Sequence, residues 1–132
     1  MIVVDTNVIA ALYLPNDYTS HAEALLAQEP EWIAPSLWRS ELRNVLALYL
    51  RKKLLSFEQA YAIQTEAETL LAGREYQVDS LEILRLAEAS GCSAYNCEFV
   101  ALASRLDLKL ITADKQILAA FPAITKALST YA

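Results

Sequence analysis

The chain predicts a three-layer α/β fold with a mostly parallel central sheet flanked by helices. Two short apolar runs, Ile2-Val3-Val4 and Leu110-Ile111-Thr112-Ala113, read as buried strands of a parallel sheet. Each run ends in an aspartate, Asp5 and Asp114. Longer stretches with helical spacing and capping signals alternate with these runs, which is the pattern of stacked β-α units. At 132 residues the chain is expected to form one domain, 1–132, large enough to bury its own core.

Taken in order, a strand is expected over about 2–5 and a short helix over about 7–13. A second helix runs from Asp17 to Gln28, and Glu31 to Ala34 forms a short strand. Pro35 opens a long helix reaching about Lys52. Ser56 and Gln59 form a capping box for a helix through Ala72. Tyr76 to Val78 reads as a strand, and Asp79 with Glu82 caps a helix ending at Ser90-Gly91. Ser93 starts a helix to about Leu106, followed by a strand over 109–112 and a helix near 115–120. The tail 123–128 carries no decisive pattern. Gly73 and Gly91, the two glycines of the chain, both follow helical patterns where a C-cap belongs.

Composition excludes several classes. Two glycines leave no phosphate-cradling loop of the P-loop or dinucleotide type. Cys92 and Cys97 are not a C-x-x-C pair, and a single histidine, His21, cannot complete a zinc set with them; reduced thiols in a cytoplasmic protein are expected. That histidine has no nucleophile-elbow context, which argues against a Ser-His-Asp hydrolase. No run of ~18 apolar residues spans a membrane. The chain enters a strand at once, so no signal peptide is expected. Hydrophobic residues make up 55% of the chain, above the ~45–50% of ordinary soluble domains, an excess compatible with a subunit interface. The formal charge of −5 weighs against nucleic-acid binding on global electrostatics, but clustered carboxylates with bound divalent ions would reverse the local sign. Arg51-Lys52-Lys53 is the strongest basic cluster, either an RNA-backbone contact or a solvated helix end.

The acids carry the chemistry. Function in open α/β sheets gathers beyond the carboxyl ends of strands, where Asp5 and Asp114 are expected to face a crevice. Glu41 stacks on its helix with Leu37, Trp38 and Val45, on the stripe expected to face the core, while Arg39 and Arg43 project away. A carboxylate on an apolar stripe is costly unless it is salt-bridged or metal-bound. Thr6, Asn7 and Thr112 flank the acids, where they either orient waters and phosphate oxygens or cap the following helices.

Asp5-Thr6-Asn7 after a strand, Pro35…Glu41…Asn44 on a long helix, Ser93-Ala94-Tyr95-Asn96 followed by Val100-Ala101-Leu102-Ala103, and Thr112-Ala113-Asp114 together resemble the PIN-domain family, and within it the VapC-type toxin ribonucleases. The resemblance runs through nearly the whole chain. It implies a PIN-like three-layer fold and a metal-dependent endoribonuclease that cuts single-stranded or loop RNA. It further implies Mg²⁺ or Mn²⁺ held by Asp5, Glu41 and Asp114, a cognate antitoxin protein, a homodimer and a cytoplasmic, prokaryotic setting. Hard divalent cations prefer such oxygen ligands and activate water. Asn96 departs from the family, which places an acid there; it completes the site set as a neutral fourth member. Three explanations stay open: an active enzyme with a weakened metal site, a non-cleaving relative, or an introduced Asp→Asn change. Asn96 could also serve only as an N3 residue paired with Ser93. Glu98 lies about 200° around the helix from it and is a poor substitute. The rival reading is a non-catalytic PIN-like module that binds RNA or a protein partner.

Overall fold

A computed structural model describes residues 1–132. Five strands form one all-parallel sheet: β1 (Ile2–Val4), β2 (Trp32–Pro35), β3 (Glu75–Tyr76), β4 (Leu110–Thr112) and β5 (Thr125–Ala127). Seven helices connect them: α1 (Thr6–Tyr13), α2 (Thr19–Gln28), α3 (Trp38–Arg51), α4 (Phe57–Leu70), α5 (Ser80–Ser90), α6 (Ala94–Leu106) and α7 (Lys115–Ala120). The strand order is β3-β2-β1-β4-β5. The expected elements are therefore present with shifted bounds, since Pro35 ends β2 rather than opening α3 and β3 lies at Glu75–Tyr76 rather than over 76–78, and the sheet is wholly rather than mostly parallel. The undecided tail becomes β5 and a short 3₁₀ turn, Leu128–Thr130.

The order has a direct consequence for where a site can form. The chain moves outward from β1 to β2 and β3, then crosses back to place β4 on the other side of β1. Right-handed crossovers put the helices of the outward and returning halves on opposite faces of the sheet. The carboxyl ends of β1 and β4 thus flank the switch point, where the two connections part and leave a crevice. Register fixes their relative height: Val3 pairs with Leu110 and Val4 with Ile111, so Asp5 and Thr112 emerge at nearly the same level.

Burial explains the elements. The strand residues Val3, Val4, Ile33, Leu110 and Ile111 are almost fully buried, as expected for a sheet covered on both faces. Val100, Ala101, Leu102 and Ala103 of α6 are also buried in succession, so this helix is covered nearly all round. It contacts β1, β2 and β4. Trp32, Trp38 and Phe99 are the largest fully buried side chains of the core. The Ser56–Gln59 capping box forms as expected, with Ser56 Oγ accepting from Gln59 N and Gln59 Oε1 from Ser56 N. Gly91 ends α5 at φ +75°, a conformation that a side chain would strain. Gly73 instead sits two residues beyond the cap of α4. Asp79 precedes α5 without accepting a capping bond.

Candidate active site

Strand β1 delivers Asp5 to the switch point as the N-cap of α1. The Asp5 carboxylate accepts from Thr6 N at 2.8 Å through Oδ1, and from Thr112 Oγ1 at 2.7 Å through Oδ2. Asn7 Nδ2 reaches the same Oδ2 at 3.4 Å. Asp5 is only 6% exposed, which corrects the expectation of an acid open to the crevice. Its backbone N–H donates to Ile111 O in the middle of the sheet, its carbonyl accepts from Val8 N in α1, and the hydroxyl of Thr112 donates to its carboxylate. Burial pushes its pKa up to about 6, against the pull of the Thr112 and Thr6 bonds, and the charges of Glu41 and Asp114 push in the same direction as burial.

Strand β4 brings up Asp114 in the equivalent place, as the N-cap of α7. Its Oδ1 accepts from Ile117 N at 3.0 Å. Thr112 Oγ1 also accepts from Asp114 N at 3.0 Å, so one hydroxyl ties the two strand-end acids together. Asn7 joins the same network, accepting from Ala113 N at 3.3 Å. Neither Thr112 nor Asn7 caps a helix through its side chain; both bond to Asp5 and to the β4 turn.

Glu41 reaches the cleft from the first turn of α3. The core is filled instead by Trp38, Leu42 and Leu46 of that helix, so Glu41 lies beside the buried stripe and is half-buried. It forms no salt bridge; its Oε1 accepts from Thr6 Oγ1 at 2.7 Å. Arg39, two residues earlier, is committed elsewhere, to Glu75 at 2.6 Å and Glu68 at 3.1 Å. Asn96 comes from the first turn of α6, where its backbone N–H donates to Ser93 Oγ at 3.1 Å. Ser93 thus caps the helix, while the Asn96 side chain makes no return bond and lines the cleft. Glu98 does not line it, yet burial and the nearby Glu41 charge raise its pKa. Rotation around α6 separated Glu98 from Asn96 correctly but could not show which neighbour it faces.

Asp5, Glu41, Asn96 and Asp114 all line one open cleft of about 460 Å³, within the ~300–1,000 Å³ usual for ligand sites. Its walls are two helical stripes, Thr6, Asn7 and Ala10 of α1 with Leu14 just past its end, facing Glu41, Asn44, Val45 and Tyr49 of α3. Asn16 and Tyr18 also line it, and sequence reasoning assigned neither of them, nor Tyr49, to a site. No Lys or Arg lines the cleft. No three His, Cys, Asp or Glu side chains converge on one ligating point, so there is no closed cage of the calcium or zinc kind. The donor set is all oxygen and mutually repelling, with second carboxylate oxygens on Glu41 and Asp114 uncommitted within the protein. That suits a hard cation that keeps several waters and takes only one or two direct carboxylates.

Comparison with known proteins agrees with this architecture. A sequence profile of the PIN domain matches residues 2–122. The chain belongs to the PIN-domain family. It is 30% identical to Ribonuclease VapC3 of Pyrobaculum aerophilum, over 93% of this chain and 96% of the relative. The crystal structure of PAE2754 from Pyrobaculum aerophilum superposes with a TM-score of 0.77 at 20% identity, covering 98% of this chain and 84% of the other. FitAcB from Neisseria gonorrhoeae gives a TM-score of 0.73 at 22% identity, covering 98% and 99%. At these identities the two structures establish the shared PIN fold. No helix of the chain is long and apolar enough to cross a membrane.

Proposed function

We propose that this PIN-domain protein is a divalent-metal-dependent endoribonuclease acting on single-stranded or loop RNA, and the toxin of a toxin–antitoxin pair. The observation that carries the reading is the cleft at the switch point, lined by Asp5, Glu41, Asp114 and the amide of Asn96 with no cation among them. Kinship with a ribonuclease of the VapC type supports the reaction class.

Asp5, Glu41 and Asp114 would together hold Mg²⁺ or Mn²⁺, one or two of them directly and the rest through its waters, with Asn96 offering a neutral carbonyl oxygen. When bound, such an ion lowers the pKa of a coordinated water and offsets charge building on a phosphodiester. The protein's own part is positioning. Thr112 and Asn7 orient the Asp5 carboxylate, Thr6 orients Glu41, and the α7 N-terminus fixes Asp114. Burial raises the Asp5 pKa to about 6 where no cation is bound, so a cation and a proton compete for it.

The antitoxin is inferred to be a small protein with a basic segment, since guanidinium groups pair well with carboxylates that have no cation in the protein. A homodimer is supported by α5, none of whose residues is buried and whose Leu81 and Leu84 are 57% and 63% exposed. A single mass at the monomer value across a dilution series in analytical ultracentrifugation would remove the dimer from the proposal.

Asn96 favours a second reading, a non-catalytic module that binds RNA or a protein. The experiment compares the protein with Asn96→Asp on mixed single-stranded RNA in Mg²⁺, Mn²⁺ or chelator. Metal-dependent cleavage by either version supports the nuclease. Cleavage enhanced by the aspartate identifies Asn96 as the weak point of the site. Binding without turnover by both folded proteins moves the assignment to the module.

A further inference from the structure

The cleft continues beyond the acids, and its extension bears on how a substrate is held; the inference rests on the ribonuclease reading above. From Glu41 the cleft-facing stripe of α3 runs through Asn44 and Val45 to Tyr49, about 12 Å along the axis at ~1.5 Å per residue. Helix α1 also runs away from the acid end, and past its last turn Tyr18 enters the same cleft. On the other side of Glu41 a second depression of about 410 Å³ continues the furrow. It shares Glu41 and Asn44 with the first and is lined by Ser40 and Tyr95. The acids therefore stand mid-furrow, with tyrosines on both sides.

Two of these tyrosines, Tyr95 and Tyr18, are open to a ligand, while Tyr49 is partly buried against the core. Tyr95 is 63% exposed and Tyr18 37% exposed. The Asn44 side chain is exposed, and its amide has no partner in the protein. Ser40 Oγ accepts from Arg43 Nη2 at 3.1 Å, which brings a guanidinium to the rim of the second depression. Ring faces stack on unpaired bases, amides meet base edges, and a guanidinium meets a phosphate. A duplex cannot use the rings, because its bases are already stacked. A basic peptide would use the carboxylates, and its guanidinium planes would also stack on the rings, so the test sets an arginine-rich peptide beside the RNA.

We propose that Tyr18 and Tyr49 on one side of the acids, and Tyr95 on the other, are stacking platforms for unpaired RNA bases flanking the cleaved phosphodiester, with Asn44 contacting a base edge. The platforms act on binding rather than on the reacting atoms.

The test is fluorescence anisotropy of a labelled, unstructured short RNA with the full protein in Ca²⁺, beside a duplex of the same length and an arginine-rich peptide. Tyr95→Ala and Tyr18→Ala are each expected to weaken single-strand binding about ten- to a hundred-fold, and the Phe variants to restore it. Tyr49 is partly buried, so Tyr49→Ala is read only beside its melting curve, and the two more exposed positions decide the matter. In Mn²⁺ the same variants are expected to raise KM with little change in kcat. Single-strand affinity unchanged in both Ala variants, duplex bound as tightly as single strand, or no RNA binding by the parent protein would each overturn the platforms. So would loss of peptide affinity alone, which would make the furrow a protein-docking surface. Tyrosine-dependent RNA binding without turnover at any metal concentration would sink the nuclease reading and leave the platforms standing. Cleavage indifferent to the tyrosines would do the reverse.

Discussion

Arg39 and Glu41 stand two residues apart on α3 and look into different surroundings. Arg39 forks onto Glu75, Nε at 2.6 Å and Nη2 at 2.7 Å, and reaches Glu68 at 3.1 Å, while Trp38 Nε1 donates to the same Glu75 at 2.8 Å. Here every acid has a cation, and the Arg39 guanidinium holds the Glu75 carboxyl below the usual range. Glu41, with Asp5 and Asp114, has hydroxyl and amide partners but no cation. There Asp5 is driven up to about 6. The first cluster ties α3 to α4 and β3. The second keeps like charges together at a cost to the fold, which an external cation would relieve.

Four changes test that contrast. Asp5→Asn is expected to lower RNA cleavage by roughly 100-fold or more, beyond the ~10–100-fold typical of losing a residue that only supports a metal ligand. Steady-state cleavage in Mn²⁺ measures it, and an unaffected rate would remove Asp5 from the site. Second, the pH dependence of stability separates the clusters. A folded pKa of about 6 against an ordinary 3.8 means the folded state holds the Asp5 proton more tightly. The metal-free protein therefore loses stability as pH rises from about 4 through 6, by up to about 3 kcal/mol at pH 7 for this one group. Asp5→Asn flattens that slope in urea titrations without divalent ions, and the gap between the two proteins closes below about pH 4. An identical slope in both proteins contradicts the assignment.

Glu75→Gln works in the opposite sense. A lowered pKa stabilises above the unfolded value and is lost as pH falls through the folded one. With Arg39 39% and Glu75 16% exposed at the side chain, the cost at pH 7 is about 1–2 kcal/mol after solvent screening. Cleavage should be untouched, so a large loss of rate would blur the two clusters into one. Smallest is Thr6→Val, which removes the 2.7 Å bond to Glu41. It is expected to shift stability by less than about 1 kcal/mol and to cost about 10-fold in rate, as for other residues that orient a ligand. A double-mutant cycle with Glu41→Gln checks that the two act together.

Most of the fold was legible because its signals are local. A β-branched run ending in Asp specifies β1, and the Ser56–Gln59 box marks the start of α4. The tail was not legible because β5 is an edge strand of sequence Thr-Lys-Ala, with Lys126 exposed, and only its pairing with β4 defines it. The sequence places the start of the second helix at Asp17, two residues before α2 begins. Asn16 instead folds an Asx turn onto Tyr18 N at 2.7 Å and delays the helix to Thr19. At the candidate site, strand-end position was enough to single out Asp5 and Asp114. It could not reveal that Thr112 bonds to both, since those partners lie 107 and 2 residues away. Helical periodicity put Glu41 on the core side, whereas α3 lies over the mouth of the cleft and turns that edge outward. Tyr18 and Tyr49 left no sequence signal, because their position depends on how α1 and α3 diverge.

The central place of β1 carries one more consequence, for how the protein fails when heated. Asp5 N donates to Ile111 O at 3.0 Å and Val3 N to Lys109 O at 3.0 Å, with β2 paired along the other edge. Fraying begins at edges and termini, while the middle of a sheet opens only with the whole domain. Asp5 thus hangs from the middle of the sheet, whose amides are expected to exchange slowly, rather than from a loop that loosens early. Loss of the cleft geometry and loss of the fold then become the same event, and inactivation by heat should trace the unfolding curve itself.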